Sequence, residues 1–508
     1  MPSDRTWRLI AWLVIFSAAI LIAAQWPALP YFLDSYYHLS VIQGFREAGG
    51  VVLHTFWEAA PEGRPHLYPP LFHLLWLPAR TLHLPPILIA RIWSWAGLPL
   101  LLCLAWHVLS RVTSARRAAV TLVALITPFG FFLGAANYPP ANLVLAATLG
   151  ILLALHRKRW LAGGILLSLA FWLHAGFPWL IALSLFLFGL MEPEFRKTAW
   201  AMIPVGILGA SPWLIHLYRH LPSLHFYPRG EDRFMEISLT LIPLGLAGLW
   251  IGWFRRGIDR FPVALALGFL PMLTAGYLFR FVSTQGLFPW LLLAGITLDR
   301  LAERIRRPAV VLLGLAALGL ASPTVAWTIS DRSDPATSQG VRWGWADTTV
   351  PILAGRPQVI SRGNAVSVYH ERFMSELSEL VRAHTTPEDL VYCNLPYFSG
   401  MLSVLTGRAI TNEMLREMTE RPSETQIRLA RLIVWVKHPS GQPLPGMEEA
   451  IQRFGLKQVG ETDLACVLVN PASTGHRQKR KAVIPWWIAE LAVGLMLVVL
   501  VWDLRRSG

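Results

Sequence analysis

The sequence predicts a polytopic α-helical membrane protein with a C-terminal extracytoplasmic α/β domain and a final transmembrane helix, and three observations lead there. Of 508 residues 54% are hydrophobic and only 15% charged, whereas soluble globular domains carry about 25% charged residues. Apolar runs of the ~20 residues needed to cross a bilayer recur from residue 8 to 325 and return once at 484–502. Between them stand short basic clusters: Arg5/Arg8, Arg111/Arg116/Arg117, Arg157/Lys158/Arg159, Arg196/Lys197, Arg255/Arg256/Arg260, Arg300/Arg304/Arg306/Arg307 and Arg505/Arg506. The formal charge of +14 is therefore a topology signal of the positive-inside kind and gives no reason to expect a nucleic-acid partner. Cys103, Cys393 and Cys466 have neither disulfide nor metal-ligand spacing.

Taken in order, Trp7 to Trp26 has a basic start like a signal peptide, but more spans follow, so it reads as an uncleaved first span. If every cluster is cytoplasmic, the apolar stretch between neighbours crosses an even number of times. Residues 118–155 then turn at Asn137-Tyr-Pro-Pro140, 198–254 through 218–237, and 261–299 near Arg280. Residues 160–190 split at His174-Ala-Gly-Phe-Pro178, where glycine and proline interrupt the helical run. This gives about 12 spans with both ends cytoplasmic. Residues 1–327 form the transmembrane module with a first outer loop at 28–86, 328–483 the extracytoplasmic domain, and 484–508 the last helix and tail. Arg477, Lys479, Arg480 and Lys481 fall outside in this scheme, against the rule, although long domains translocate largely regardless of charge. In the domain, Leu390–Cys393, Leu432–Val436 and Ala465–Val469 read as strands, with helical patterns before them at 367–384, 413–430 and 447–454, which favours a small parallel sheet.

The outer turns gather the ionisable residues of an apolar protein, and such residues at a membrane boundary mark function. After Pro27-Ala-Leu-Pro30, residues 34–50 read as a short helix closed by glycines. At about 100° per residue Asp34, Tyr37, His38, Val41, Phe45 and Ala48 share one face, aiming a carboxylate and an imidazole at the membrane side. Asp34 is equally suited to cap that helix. Glu58, Glu62, Arg64, His66, Tyr68, Tyr138 and His174 are supporting candidates. The Tyr68-Pro-Pro70 step also serves as a plain turn and helix start, opening a surface helix that ends before the true crossing from Ile87. Arg280 in Tyr277-Leu-Phe-Arg-Phe281 is placed either to hold a phosphate by paired hydrogen bonds or to snorkel to headgroups.

An acidic residue after the first span (Asp34-Ser-Tyr-Tyr-His-Leu39), a surface helix from Tyr68-Pro-Pro-Leu71, an arginine-led span at Ala90-Arg-Ile92, Arg280-Phe281 and a terminal outer domain together resemble the GT-C superfamily of membrane glycosyltransferases. That superfamily includes protein mannosyltransferases, aminoarabinose transferases and oligosaccharyltransferases. The likeness spans most of the chain and rests on the order of the elements. It implies a sugar donor on a polyprenyl phosphate or pyrophosphate, a lipid, glycan or protein acceptor, Asp34 as base and Arg280 on the donor phosphate. It also implies a bacterial cytoplasmic membrane, with the active site facing outward among membrane lipids. Mannosyltransferases follow the first aspartate with glutamate where Ser35 stands here, and oligosaccharyltransferases place a carboxylate in the next outer loop, which here is Asn137-Tyr-Pro-Pro140. No cofactor is therefore firmly implied, a divalent metal being the open case. Trp343-Gly-Trp-Ala-Asp347 is faintly similar to the acceptor-reading motif of oligosaccharyltransferases. Two other classes stay open: a transporter or flippase of lipid-linked glycans, which requires mid-span charges and repeated halves, and a non-catalytic scaffold whose outer domain binds a partner.

Overall fold

The structure, a computed structural model, describes residues 3–26, 29–30, 34–137, 139–223, 233–274, 278–305, 307–329, 340–343, 372–414, 421–437, 441–463 and 465–505. The chain is an integral membrane protein. Among the described residues five helices are long and apolar enough to cross: α1 (Asp4–Ala23), α4 (Pro86–Val112), α7 (Pro139–His156), α10 (Arg196–Arg219) and α20 (Trp486–Arg505). The other apolar stretches are helical but shorter or interrupted, so length alone does not reproduce the expected twelve. After α5 (Ala115–Ile126), Pro128 interrupts the helix before α6 (Phe129–Asn137), which ends just ahead of α7. The run 160–190 does divide, into α8 (Trp160–Leu173) and α9 (Phe177–Met191). After α10 come α11 (Leu241–Trp253), α12 (Phe261–Phe269), α13 (Leu278–Ser283), α14 (Phe288–Arg304) and α15 (Pro308–Ala321).

Helices in lipid gain little from hydrophobic exclusion and associate through close packing of small residues. Gly163 and Gly164 of α8 face Met202 and Val205 of α10, while Gly206 and Gly209 of α10 face Leu167 and Ser168. At Gly248 of α11 an added Cβ would lie 1.9 Å from the Leu293 carbonyl oxygen of α14. At one end of the bundle the basic clusters meet acidic partners: Arg116–Asp299 (2.6 Å), Arg117–Asp259 (2.6 Å), Arg260–Glu192 (3.1 Å) and Lys158–Glu194 (2.6 Å). Hairpins whose ends lie on one side produce this convergence.

At the other end lie α2 (Asp34–Ala48), α3 (Leu71–Thr81) and the α/β domain. The domain contains α16 (Arg372–Ala383), β5 (Leu390–Cys393), α17 (Pro396–Thr406), β6 (Ala409–Ile410), α18 (Ser423–Leu429), β7 (Leu432–Val436), α19 (Met447–Phe454), β8 (Lys457–Glu461) and β9 (Ala465–Val469). Its sheet runs in the order β6-β5-β7-β9-β8. The sheet is mixed and not parallel as expected: β6, β5 and β7 run parallel, while β9 and β8 form an antiparallel edge. The helix expected at 413–430 is confined to 423–429 among the described residues, because Arg421-Pro422 precedes it. A second, antiparallel sheet joins β2 (Arg233–Ser238), β3 (Pro323–Ile329) and β4 (Gly340–Trp343). The expected domain boundary at 328 thus falls inside β3.

The first loop is fastened to the domain. Ile410 N donates to Trp57 O and Ala60 N to Ile410 O, both at 3.0 Å, so residues 57–60 lie along the free edge of β6. β1 (Gly50–Val51) pairs antiparallel with β10 (Ile484–Pro485), at the entry to α20. Residues 35–42 of α2 are all buried, partly against Gly400 of α17, whose carbonyl accepts from Ser40 Oγ at 3.3 Å. Helix α2 is therefore enclosed on two sides, where the sequence suggested a short helix with one face turned to the membrane.

Candidate active site

Asp34 opens α2 and its side chain is exposed, while everything next to it on the helix is buried. The expected pairing of Asp34 and His38 on one membrane-directed face is corrected here: His38 is only 4% exposed and turns into the protein. Its Nδ1 lies 3.0 Å from Nε2 of His73, so one ring donates and the other accepts. Tyr68 and Phe72 stand edge-on to His38 at ring-centroid distances of 4.9 and 5.2 Å. Behind this pair His66 is walled by Phe45, Trp57, His73 and Trp213, and neither of its ring nitrogens has a hydrogen-bond partner among the described residues.

Burial pushes the imidazoles of His38 and His66 down to about 3, aided at His66 by the charges of His216, Arg64 and His38; burial also holds His73 well below the usual range. At neutral pH these rings are uncharged and act by shape and by single hydrogen bonds.

His174 stands in the break between α8 and α9, where its Nδ1 accepts from the backbone N–H groups of Gly176 (3.1 Å) and Phe177 (3.3 Å). Its ring lies 6.3 Å from that of Tyr68. Burial first, then the charge of Arg280 and that of His38, lowers it to about 3. Arg280 itself is half-buried on α13. Gln285 Nε2, just past α13, donates to Gly134 O of α6 at 3.1 Å and holds α13 against the end of the second hairpin. His38, Tyr68 and His174, from three separate segments, thus adjoin one another at the domain end of the bundle, and Asp34 stands one helical turn before His38 on α2. Tyr138 and nearly all of Trp343-Gly-Trp-Ala-Asp347 lie outside the described residues.

Three further candidates are placed elsewhere. Glu58, 1% exposed, accepts from Arg64 Nη2 (2.7 Å) and from the backbone N–H of Met414 (2.8 Å) in the domain. Glu62 pairs with Arg421 at 2.7 Å. Glu58, Glu62 and Arg64 therefore form the joint between loop and domain, because a buried carboxylate is stable only beside donors that satisfy it. His66 belongs to the aromatic packing beneath that joint. Beyond it, burial raises the Glu413 carboxyl above its usual range, and Gln426 Nε2 donates to it at 2.8 Å. His73 was missed in the sequence; its only signal was a histidine in the first turn of an otherwise apolar helix. Among the described residues no three His, Cys, Asp or Glu side chains are grouped to hold a metal ion.

A bundle carrying a buried loop helix, a surface helix and a terminal α/β domain in this order has the fold of the GT-C membrane glycosyltransferases. ArnT from Cupriavidus metallidurans in the apo state matches with a TM-score of 0.56 and 15% identity, over 91% of this chain and 98% of that one. ArnT bound to undecaprenyl phosphate matches at 0.56 and 14%, over 92% and 99%. The Archaeoglobus fulgidus oligosaccharyltransferase in its apo form matches at 0.53 and 11%, over 84% and 69%. The sequence matches no family profile and no curated protein.

Proposed function

We propose that the protein transfers a sugar from a polyprenyl-phosphate-linked donor to a lipid, glycan or protein acceptor on the extracytoplasmic side of a bacterial cytoplasmic membrane, which the chain crosses about 12 times with both termini inside. What supports this reading is the neutral cluster of His38, Tyr68 and His174, with an exposed carboxylate, Asp34, one turn before His38 on α2 and the charge of Arg280 acting on His174. The fold is shared with ArnT, whose structure was solved with undecaprenyl phosphate.

In this mechanism the acceptor hydroxyl gives its proton to Asp34 while its oxygen bonds to the anomeric carbon. The bond from that carbon to the donor phosphate oxygen breaks, and the phosphate leaves with the electron pair. General-base assistance and cationic stabilisation of the leaving group are the two contributions asked of the protein. Tyr68, His38 and His174 shape the wall between them. Purified protein supplied with a polyprenyl-phosphate sugar should consume it and release polyprenyl phosphate, with transfer to added acceptor or slowly to water. Failure to consume any of a panel of such donors, by protein that binds polyprenyl phosphate, would support a carrier function instead.

A further inference from the structure

Helix α2 ends, and α3 ends, beside the starts of two spanning helices. The Trp486 N–H at the head of α20 donates to Gly49 O, three residues after Arg46, and the Ala482 N–H donates to Ala48 O. Arg80 lies six residues before Pro86, where α4 begins. Both arginines therefore stand at headgroup level on the domain side of the membrane.

They also stand next to each other. Arg80 Nη2 donates to Gln43 Oε1 at 2.6 Å, and Gln43 and Arg46, three apart on one helix, share a face. Arg80 spends its other bond on Leu84 O (2.6 Å), and its Nε is buried without a hydrogen-bond partner. Arg46 is half-buried and its guanidinium makes no hydrogen bond or ion pair among the described residues. The nearest carboxylate, Glu47, is taken by Gln43 Nε2 at 2.7 Å and by Arg477. Two neighbouring cations with spare donors, and with no carboxylate paired to either among the described residues although the charge of Glu47 is felt at Arg80, call for an anion. Burial and the charge of Arg46 both lower the affinity of Arg80 for its proton.

The surroundings say which anion. Leu75 of α3 and Leu82 just after it are 50% and 76% exposed, and Trp486 and Trp487 of α20 are exposed as well. This is the apolar and aromatic surface of a membrane boundary. We propose that Arg46 and Arg80 form a binding site for the phosphate of an anionic membrane lipid in the domain-side leaflet. With α2 rising 1.5 Å per residue, Arg46 is about 18 Å from Asp34 along the helix. The site is thus separate from the proposed base, Asp34, and does not depend on the catalytic reading. The basic run 477–481 is accounted for at the same time. Arg477 and Arg480 bind Glu47 and the Glu62 carbonyl, while Lys479 and Lys481 stay exposed.

The test is retention of phosphatidylglycerol by the full-length protein in phosphatidylcholine–phosphatidylglycerol nanodiscs, counted by native mass spectrometry. Arg46→Gln, which has no side-chain partner to lose among the described residues, should reduce the retained phosphatidylglycerol about five-fold at an unchanged melting temperature, the usual weight of one basic residue at a charged membrane surface. The Arg46→Gln/Arg80→Gln double variant should reduce it further. Unchanged retention in Arg46→Gln overturns the site. An equal loss in Lys479→Gln/Lys481→Gln overturns it in favour of diffuse surface attraction. Displacement of the lipid by inorganic phosphate at equal concentration shows a free-anion site and overturns the lipid assignment.

Discussion

Asp34 is the exposed carboxylate of the proposed site, so the proposed chemistry stands or falls there. Asp34→Asn keeps shape and capping ability but cannot take a proton; it should insert and melt like the wild type while transfer drops about 10²- to 10⁴-fold. Near-normal turnover would remove Asp34 from catalysis, and loss of expression would favour its role as a helix cap. Arg280→Lys keeps the charge and loses the planar fork, so the donor KM should rise on the order of tenfold with a smaller change in kcat. Equal donor affinity in an alanine variant would take Arg280 out of the site. The histidines make a separate prediction. His38, His66 and His174 take up protons near 3 when folded but near 6.5 when unfolded. The unfolded chain therefore binds more protons between those values, and stability falls as pH drops below about 6.5 and keeps falling toward 3. His66→Phe removes one such group from an aromatic pocket, so its melting temperature should decline less steeply with acid; an identical decline would show that His66 does not titrate on unfolding.

Among the elements, the joint between the first loop and the α/β domain depends on Glu58. Its removal in Glu58→Ala leaves Arg64 buried without its carboxylate, at a cost of about 3–5 kcal/mol. Proteolysis within residues 53–66 should then become rapid while the bundle stays intact, and unaltered protection would show that the edge contact at β6 suffices. How legible these elements were in the sequence follows from their local signals. Helix α2 has aspartate at its start and glycines after its end and was readable to within two residues, while β5, β7 and β9 are short apolar runs readable to the residue. Strand β6 is two residues long, and β8, Lys457-Gln-Val-Gly-Glu461, is largely exposed and charged; both exist through their neighbours. The same holds for the site. Asp34 and Arg280 announce themselves as charges at turns, whereas the contact of His38 with His73 is a product of α2 packing on α3, which no local pattern encodes.

For the molecule as a whole, the basic clusters carried most of the arrangement, since residues far apart in sequence, such as Arg117 and Asp259, do meet at one end. A cysteine introduced at 441–446 should therefore react with an impermeant reagent in intact cells; protection until the membrane is broken would reverse the orientation. The last helix was legible as a span but its fastening was not. Asp503 Oδ2 accepts from the backbone N–H of Ala162 in the first turn of α8 at 3.0 Å, and the Leu504 carbonyl accepts from Arg157. At its other end β10 closes onto β1. Two pieces made early in translation, strand β1 and the start of α8, thus wait for partners made much later. A nascent chain arrested before residue 484 should sit in the membrane with residues 48–51 still open to protease, and that stretch should be covered only once Ile484 and Pro485 have been made.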